Sequence, residues 1–374
     1  MPENRPFIYY AAERSYYSGK ARPAFRIKRV FMEERLPTPA NRSLLLERTG
    51  HAFLPTVITP EDEVWQDTSD ILDRLENRVP NPPLFPASPV QRIVAYLLEL
   101  YADEFMLMPG LHYRWAFPDS ADHAARSFAA ASGVAAAAKE FADTIANQFA
   151  PVVGATAETA PLLEAHVADL LALLEKKFAE SRFLLGDAPS LADCSLMGPM
   201  YGHFFLDPEP GRLLRAEAPQ VCHWIETMNH PNQDDFGEWL PGDALSTQMR
   251  LLLELIGADA IPLLLDTATA FDEWADQHAE PGATPPRVVG MHTTSLRGLT
   301  FERYTSPYAV WMIQRPRDAY QALGDDERHR VDEALQGTGC EALFQKTSRH
   351  RLEKSGIELV FSADQNADGS AQRA

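Results

Sequence analysis

The sequence predicts an α/β domain, then an all-α domain, then a mixed C-terminal extension. Residues 7–80 alternate short strand-like and helix-like stretches. The segment 79–89 (VPNPPLFPASP) then contains five prolines. Because proline removes a backbone donor and disfavours helix in the residue before it, this segment is predicted to be a linker. Beyond it the strand signals fade and the apolar residues follow helical spacing.

The first domain, residues 1–82, has the predicted order βαβαββα. Its first strand is the short, apolar and aromatic stretch Phe7–Ala11. The other predicted elements are a helix at 15–28, a strand at 30–32, a helix at 41–48, strands at 56–58 and 64–65, and a helix at 68–78. Within about 80 residues, this order is typical of a thioredoxin-like domain.

The second domain, residues 90–231, is predicted to be a helical bundle. Its helices are expected at 91–108, 124–149, 162–178, 190–205 and 221–228. The extension, residues 232–374, has no assigned role. It is predicted to contain helices at 246–277, with a break at Pro262, and at 325–335, a mixed stretch at 301–323 and an edge strand at 357–361.

Composition and charge exclude several classes of function. The chain has 374 residues and a formal charge of −19, which argues against nucleic acid as the main partner. Its three cysteines are far apart, so neither a disulfide framework nor a zinc site is expected. No stretch resembles a signal peptide or a membrane span, and the expected compartment is the cytoplasm.

Metal binding is not expected either. The eleven histidines show no paired-ligand spacing. Residues 364–369 match the start of a calcium-binding EF-hand loop, but the twelfth-position Glu would fall beyond residue 374.

Three short segments of the first domain carry possible chemistry. Ser15 opens the first helix, where a hydroxyl and the helix dipole can stabilise a thiolate, although taken alone this position is better explained as a simple helix cap. Leu54 and Pro55 precede the third strand, where a cis-proline would turn the backbone toward an extended peptide, although on this evidence alone an ordinary trans proline is the better explanation. Asp67 and Thr68 open the third helix and can hold an ammonium and a carboxylate, or only cap that helix.

The order of these segments resembles the N-terminal domain of the glutathione transferase family. The resemblance continues in 183–193 (FLLGDAPSLAD), where Ser190 and Asp193 are expected to form an N-capping box, and in 219–231 (PQVCHWIETMNHP). It covers about residues 7–231. It implies a cytoplasmic homodimer that uses glutathione as co-substrate, without a metal.

The resemblance also implies roles for individual residues. Ser15 matches the catalytic hydroxyl of serine-type members, and Leu54 and Pro55 match the backbone clamp on the cysteinyl part of glutathione. Asp67 and Thr68 match the pair that holds its γ-glutamyl end. Tyr113 and Trp115 are candidates to line a second-substrate pocket, or are plain core residues.

The chain departs from the family at several points. Pro23 falls inside the first helix, where a proline costs about 3 kcal/mol or forces a kink. The extension has no counterpart in a minimal transferase. Tyr10, Tyr16 and Tyr17 are alternatives to Ser15. The lack of cysteine before Cys194 argues against thiol–disulfide exchange as the activity.

Two functions therefore compete at this point. The leading hypothesis is an enzyme that activates the glutathione thiolate for attack on a small hydrophobic electrophile, by conjugation, dehalogenation or ether cleavage. Bacterial β-etherases are one direction that the sequence does not single out. The alternative is a non-catalytic transferase-like module for protein interaction or ligand binding.

Overall fold

The computed structural model describes residues 5–363 and confirms the order βαβαββα in the first domain. The EF-hand-like segment 364–369 and the polar tail lie outside the described residues. The elements of the first domain are β1 Phe7–Tyr10, α1 Tyr16–Ile27, β2 Met32–Arg35, α2 Pro39–Thr49, β3 Thr56–Ile58, β4 Val64–Gln66 and α3 Thr68–Arg78.

These strands form one four-stranded sheet in the order β2-β1-β3-β4. β1 pairs parallel with β2, and the other two pairings are antiparallel. Successive side chains of β1 point to opposite faces of the sheet, as strand geometry requires. Tyr9 therefore packs against Phe25 of α1, while Tyr10 joins Leu45 and Ile58 in a small separate cluster on the other face.

Two local predictions for this domain need adjustment. The second strand begins at Met32 rather than Val30, because its polar residues Glu33 to Arg35 are held by parallel pairing with β1 and not by their own apolarity. Helix α1 runs through Pro23 without a break. The residue four positions before the proline is Gly19, which packs closely on the carbonyl oxygen of Met197.

The second domain is helical, as predicted. Its α-helices are α4 Pro89–Leu100, α5 Leu107–Trp115, α6 Pro118–Ser132, α7 Ala135–Thr144, α8 Ala150–Val153, α9 Ala160–Glu180, α10 Leu191–Pro199, α11 Pro208–Glu217 and α12 Pro219–Asn229. Three predicted helices are interrupted by π-helical turns, at Tyr101–Phe105, Ile145–Phe149 and Met200–Phe205. The predicted capping box is confirmed: Asp193 accepts hydrogen bonds from the Ser190 N–H and hydroxyl.

The extension packs against both preceding parts of the chain. Helix α13 lies against α9, and α15 and α16 lie against α4. Its apolar residues join a single core that reaches from Phe7 to Phe361. Its elements are α13 Thr247–Asp259, α14 Ile261–His278, β5 Met291–Leu296, β6 Leu299–Tyr304, α15 Pro307–Gln321, α16 Asp325–Leu335, α17 Ala342–Gln345, β7 Leu352–Ser355 and β8 Glu358–Phe361.

The extension also carries two antiparallel hairpins, β5–β6 and β7–β8. The helix break at Pro262 and the strand near 357–361 are confirmed. β5 and β7 were not predicted. Across residues 5–363, no helix combines the length and the apolar character that a bilayer crossing requires.

Candidate functional site

The start of helix α1 brings Ser15 and Tyr17 close to the second domain. Ser15 is the N-cap, and its hydroxyl oxygen accepts a hydrogen bond from the Ser18 N–H at 3.2 Å. Tyr17 is half-buried, and its hydroxyl makes a long contact of 3.5 Å to the carbonyl oxygen of Asp103. Burial, together with the nearby carboxyl of Glu104, raises the pKa of Tyr17, so its hydroxyl stays protonated and can donate.

The two other tyrosines considered for the catalytic hydroxyl are engaged elsewhere. The Tyr16 hydroxyl donates to the carbonyl oxygen of Ala102, in a fully buried position. Tyr10 faces the small cluster on the far side of the sheet. Neither residue lines the cavity described below.

The segment before β3 exposes backbone groups. The peptide bond between Leu54 and Pro55 is cis, as the resemblance to the glutathione transferases implies for this position. Among residues 5–363, neither the N–H nor the carbonyl of Leu54 has a hydrogen-bond partner. An extended peptide laid beside Leu54 could therefore pair with it as an added strand would.

Helix α3 begins beside this segment. Asp67 is its N-cap and has a positive φ of 78°. Its Oδ1 accepts hydrogen bonds from the N–H groups of Ser69 and Asp70, at 3.0 and 3.3 Å. Thr68 is the first residue of the helix, so its N–H lies at the positive end of the helix dipole, where a carboxylate is stabilised.

These predicted binding residues line a single cavity of about 480 Å³. Leu54, Pro55, Asp67 and Thr68 are all in its wall, and so is Tyr17. Ser15, predicted as the catalytic residue, is not among the residues that line it. The hydroxyl-bearing residue of α1 in the cavity wall is therefore Tyr17, two residues after Ser15, the residue that the resemblance indicates.

The remaining wall of the cavity comes from the helical domain and the extension. Tyr113 and Trp115 do not line it. They pack instead against Phe204 and Phe128. The lining residues from these regions are Glu104, Leu107, Phe149, Thr284, Pro285, Pro286, Arg287, Val288, Tyr304, Ser306, Pro307, Tyr308, Lys354, Ile357, Glu358 and Leu359.

The extension is fastened to the first domain at the mouth of the cavity. Lys354 donates to Asp67 Oδ2 at 2.7 Å. The Glu358 carboxylate lies 2.8 Å from His51 Nε2, within hydrogen-bond distance. The guanidinium of Arg287 lies 4.1 Å from the centre of the Phe53 ring. No sequence motif marked these extension residues, and their partners lie hundreds of residues away in the chain.

Glu104 is the acidic group of the cavity wall. It is 3% exposed, and among residues 5–363 its carboxyl has no hydrogen-bond partner. Burial and the neighbouring Asp103 raise its pKa to about 8, against a smaller opposing effect of Arg303. The carboxyl is therefore mostly neutral at pH 7 and can donate a hydrogen bond into the cavity.

A buried charge cluster underlies the cavity. Lys20 of α1 donates to Glu99 at 2.8 Å, to Asp103 at 2.5 Å and to the Ser69 hydroxyl at 2.9 Å. Arg315 of the extension also donates to Glu99, at 3.0 Å. These contacts join the first domain, the helical domain and the extension beside the cavity.

The described residues offer no evident metal centre. Between residues 5 and 363, no three His, Cys, Asp or Glu side chains come together in an arrangement that could hold an ion.

Two family models match the chain. The Glutathione S-transferase N-terminal domain matches residues 10–83, and the Glutathione S-transferase C-terminal domain matches residues 141–232. The chain therefore contains both domains of the glutathione S-transferase family, within residues 10–83 and 141–232. Both matches end before α13, so the extension lies outside them. No curated protein matches the chain significantly.

Solved structures of the glutathione transferase type are similar at low identity. The β-etherase LigF from Sphingobium sp. strain SYK-6 is 18% identical with a TM-score of 0.45, over 61% of this chain and 97% of that one. A glutathione S-transferase from Methylobacterium radiotolerans is 18% identical with a TM-score of 0.41, over 64% and 100%. The transferase GSTFuA3 from Phanerochaete chrysosporium is 16% identical with a TM-score of 0.45, over 60% and 97%. The family assignment rests on the two domain models and not on these similarities.

Proposed function

We propose that this protein is a glutathione transferase that binds glutathione in the cavity and activates its thiolate for attack on a small hydrophobic electrophile. One observation carries the proposal. Three separate segments, contributing Tyr17, Leu54 with Pro55, and Asp67 with Thr68, line the same cavity. The family assignment supports glutathione as the co-substrate.

The tripeptide would use the free backbone groups first. The cysteinyl part would pair with the N–H and carbonyl of Leu54, in the manner of β-strand addition. The γ-glutamyl carboxylate would bind at Thr68, whose hydroxyl and N–H lie at the N-terminus of α3 and favour an anion. Asp67 would accept from the γ-glutamyl ammonium.

The chemical step needs a donor for the thiolate. A hydrogen bond from a neutral hydroxyl stabilises the thiolate and so lowers the pKa of the thiol. The thiol proton goes to solvent, the sulfur forms a bond to the electrophilic carbon, and the leaving group departs with its electron pair. Ser15 is the donor that the resemblance indicates, while Tyr17 is the one in the cavity wall.

The electrophile would lie against the apolar part of the wall. Leu107 and Phe149 of the helical domain and Tyr304 and Tyr308 of the extension supply it. Aromatic rings favour a flat apolar substrate, because they bury large surfaces and stack well. The extension would thus contribute to the second-substrate site.

A second candidate function is a non-catalytic module that binds a ligand or a protein. Two observations favour it: Ser15 lies outside the cavity wall, and Lys354 already engages Asp67. This candidate retains the fold and the cavity but lacks turnover.

Calorimetric titration with glutathione, followed by a conjugation assay with 1-chloro-2,4-dinitrobenzene, separates the two. The variants are Ser15→Ala and Tyr17→Phe, with Tyr96→Phe as a control that removes a tyrosine hydroxyl outside the cavity. We expect Tyr17→Phe to lower kcat/KM by about 10- to 100-fold, since each unit of thiol pKa changes the thiolate fraction about tenfold. Loss of a helix cap in Ser15→Ala should cost about 1 kcal/mol of stability.

Each outcome has a distinct meaning. A loss of turnover in Ser15→Ala at unchanged stability would assign the hydroxyl to Ser15 instead. Glutathione binding without turnover in the wild type would favour the non-catalytic module. Absence of binding would contradict both the enzyme and a glutathione-binding carrier.

The assembly and compartment are part of the same proposal. We expect a homodimer in the cytoplasm, as the family resemblance implies. Light scattering coupled to size-exclusion chromatography checks the dimer, since a monomer has a mass of 41.7 kDa.

A further inference from the structure

A lysine of the extension already pairs with Asp67, the carboxylate that would accept the γ-glutamyl ammonium in the proposed function. Lys354, in β7, places its Nζ 2.7 Å from Asp67 Oδ2. The two side chains are only 20% and 10% exposed, so the pair lies largely out of solvent. An ammonium is thus already present where the γ-glutamyl ammonium of glutathione would bind.

Lys354 is held in this position by its surroundings. Its Nζ lies 4.4 Å from the centre of the Trp311 ring and 5.4 Å from that of Tyr308, within cation–π range. Within the hairpin, Lys354 pairs with Leu359 of β8. Glu358, the residue before Leu359 in β8, is within hydrogen-bond distance of His51 in the first domain. Moving the ammonium aside would therefore disturb several contacts at once.

Asp67 has little capacity for a second cation. Its Oδ1 already accepts from two N–H groups of α3, and its Oδ2 accepts from Lys354. A ligand ammonium on the same carboxylate would lie a few ångströms from the lysine ammonium. Two like charges at that distance repel each other strongly in a partly buried site.

We infer that Lys354 is a specificity-determining residue of the thiol site, because its ammonium takes the place of the γ-glutamyl ammonium. The site then accepts the same tripeptide thiol without that ammonium, its γ-glutamyl part replaced by a glutaryl group, at least as well as glutathione. The inference rests on the proposed function, because it concerns the same cavity.

The lysine can also add a contact to such a ligand. An ammonium has three donors, and Asp67 uses one of those on Lys354. With glutathione, the attraction between the Lys354 ammonium and the γ-glutamyl carboxylate is offset by repulsion between the Lys354 ammonium and the γ-glutamyl ammonium. A thiol with a carboxylate and no ammonium at that end keeps the contact without the repulsion.

Calorimetry with two probes tests this directly. The probes are S-methylglutathione and its analogue with hydrogen in place of the α-ammonium. They are titrated into the wild type, into Lys354→Met, which keeps the apolar stem on Trp311, and into Lys346→Met, the control at an exposed lysine of the extension. We expect the analogue to bind the wild type and the control at least as tightly as S-methylglutathione.

In Lys354→Met the preference should reverse. The ratio of the Kd of S-methylglutathione to that of the analogue should fall by about tenfold, because Asp67 becomes free to accept from the ligand ammonium. Lys354→Gln, which also removes the charge, should behave in the same way and guards against a folding defect in one variant.

Two results would overturn the inference. One is a wild type that binds S-methylglutathione more tightly than the analogue, a comparison that needs no variant. The other is an unchanged ratio in both lysine variants. If neither probe binds any of the proteins, the proposed function itself fails, and the inference falls with it.

Discussion

Four side chains of the cavity wall are neutral hydrogen-bond donors. Burial raises the pKa of Tyr17 and Tyr308, and it raises that of Tyr304 to about 12 and that of Glu104 to about 8. At neutral pH these four groups are protonated. Uncharged donors of this kind suit an anion, such as a thiolate or a carboxylate, because they solvate the charge without a counter-ion.

Glu104 gives a prediction about stability and pH. Its folded-state pKa of about 8 lies above the ordinary value of 4.5 for a glutamate, so the fold favours the protonated form. The stability that this group contributes is complete below the unfolded-state pKa. This contribution to stability is lost as pH rises toward about 8, because Glu104 ionises at a lower pH in the unfolded chain than in the folded protein. Glu104→Gln should therefore be increasingly stabilised relative to the wild type from pH 5 to pH 9.

Urea unfolding at several pH values measures this difference. Each unit of pKa shift corresponds to about 1.4 kcal/mol, so the relative stability of Glu104→Gln should rise by a few kcal/mol across the range. Glu226→Gln, at an exposed position of α12, serves as the control and should show little change. A difference between Glu104→Gln and wild type that stays constant with pH would show that Glu104 is ionised in the folded protein.

The site was predictable from sequence where its residues belong to local motifs. Leu54, Pro55, Asp67 and Thr68 stand at strand and helix starts, and the fold brings them to one cavity. Lys354 was not predictable, because it lies 287 residues from its partner Asp67. A lone lysine in a short polar strand carries no signal of such a contact.

At the scale of elements, the π-helical turn Tyr101–Phe105 orients the acidic residues of the site. The apolar pattern predicted one helix through this region, since periodicity does not reveal a single wide turn. At this turn Asp103 contacts Lys20, while its neighbour Glu104 lines the cavity. The turn therefore separates a buried ion pair from a group that can meet the ligand.

The unpredicted strand β5 has a physical explanation. Its residues MHTTSL alternate buried and exposed, which suits a half-buried strand. The buried positions include His292 and Thr294, which are polar and so do not stand out as an apolar alternation. Hydrogen bonds stabilise them instead: His292 Nδ1 lies 2.9 Å from the Thr305 hydroxyl, and Thr294 donates to Asp266 at 2.7 Å.

Helix α13 gives a prediction at this scale. A Cβ added at Gly257 would lie 2.0 Å from the carbonyl oxygen of Thr338 and 2.8 Å from the Cα of Gly339. Ala normally stabilises a helix interior relative to Gly, by up to about 1 kcal/mol. Here we expect Gly257→Ala to destabilise the protein by about 1–3 kcal/mol, because the backbone of the neighbouring loop must shift.

Thermal and urea unfolding of Gly257→Ala check this expectation. The near-ultraviolet circular dichroism should stay close to that of the wild type if the loop only shifts. A variant with raised stability would mean that α13 and the loop around Thr338 are not in close contact.

At the scale of the whole molecule, the extension is part of one structure with the transferase domains. Its helices complete the core around α4 and α9. Arg315 pairs with Asp73 of the first domain, at 2.7 Å, and with Glu99 of the second. The extension therefore compensates buried charge as well as covering apolar surface, and a minimal transferase cut from this chain would lose both.

Truncation after residue 231 tests this view. The shortened chain would expose the apolar faces of α4 and α9 to water and leave the buried Glu99 with fewer partners. Loss of a partner from a buried charge costs about 3–5 kcal/mol, a large fraction of the stability of a typical domain. We expect the truncated chain to bind a hydrophobic dye or to aggregate, and the full chain to unfold in a single calorimetric transition. A truncated protein that stays monodisperse and binds glutathione would instead make the extension a separable domain, whose residues in the cavity wall are dispensable for binding.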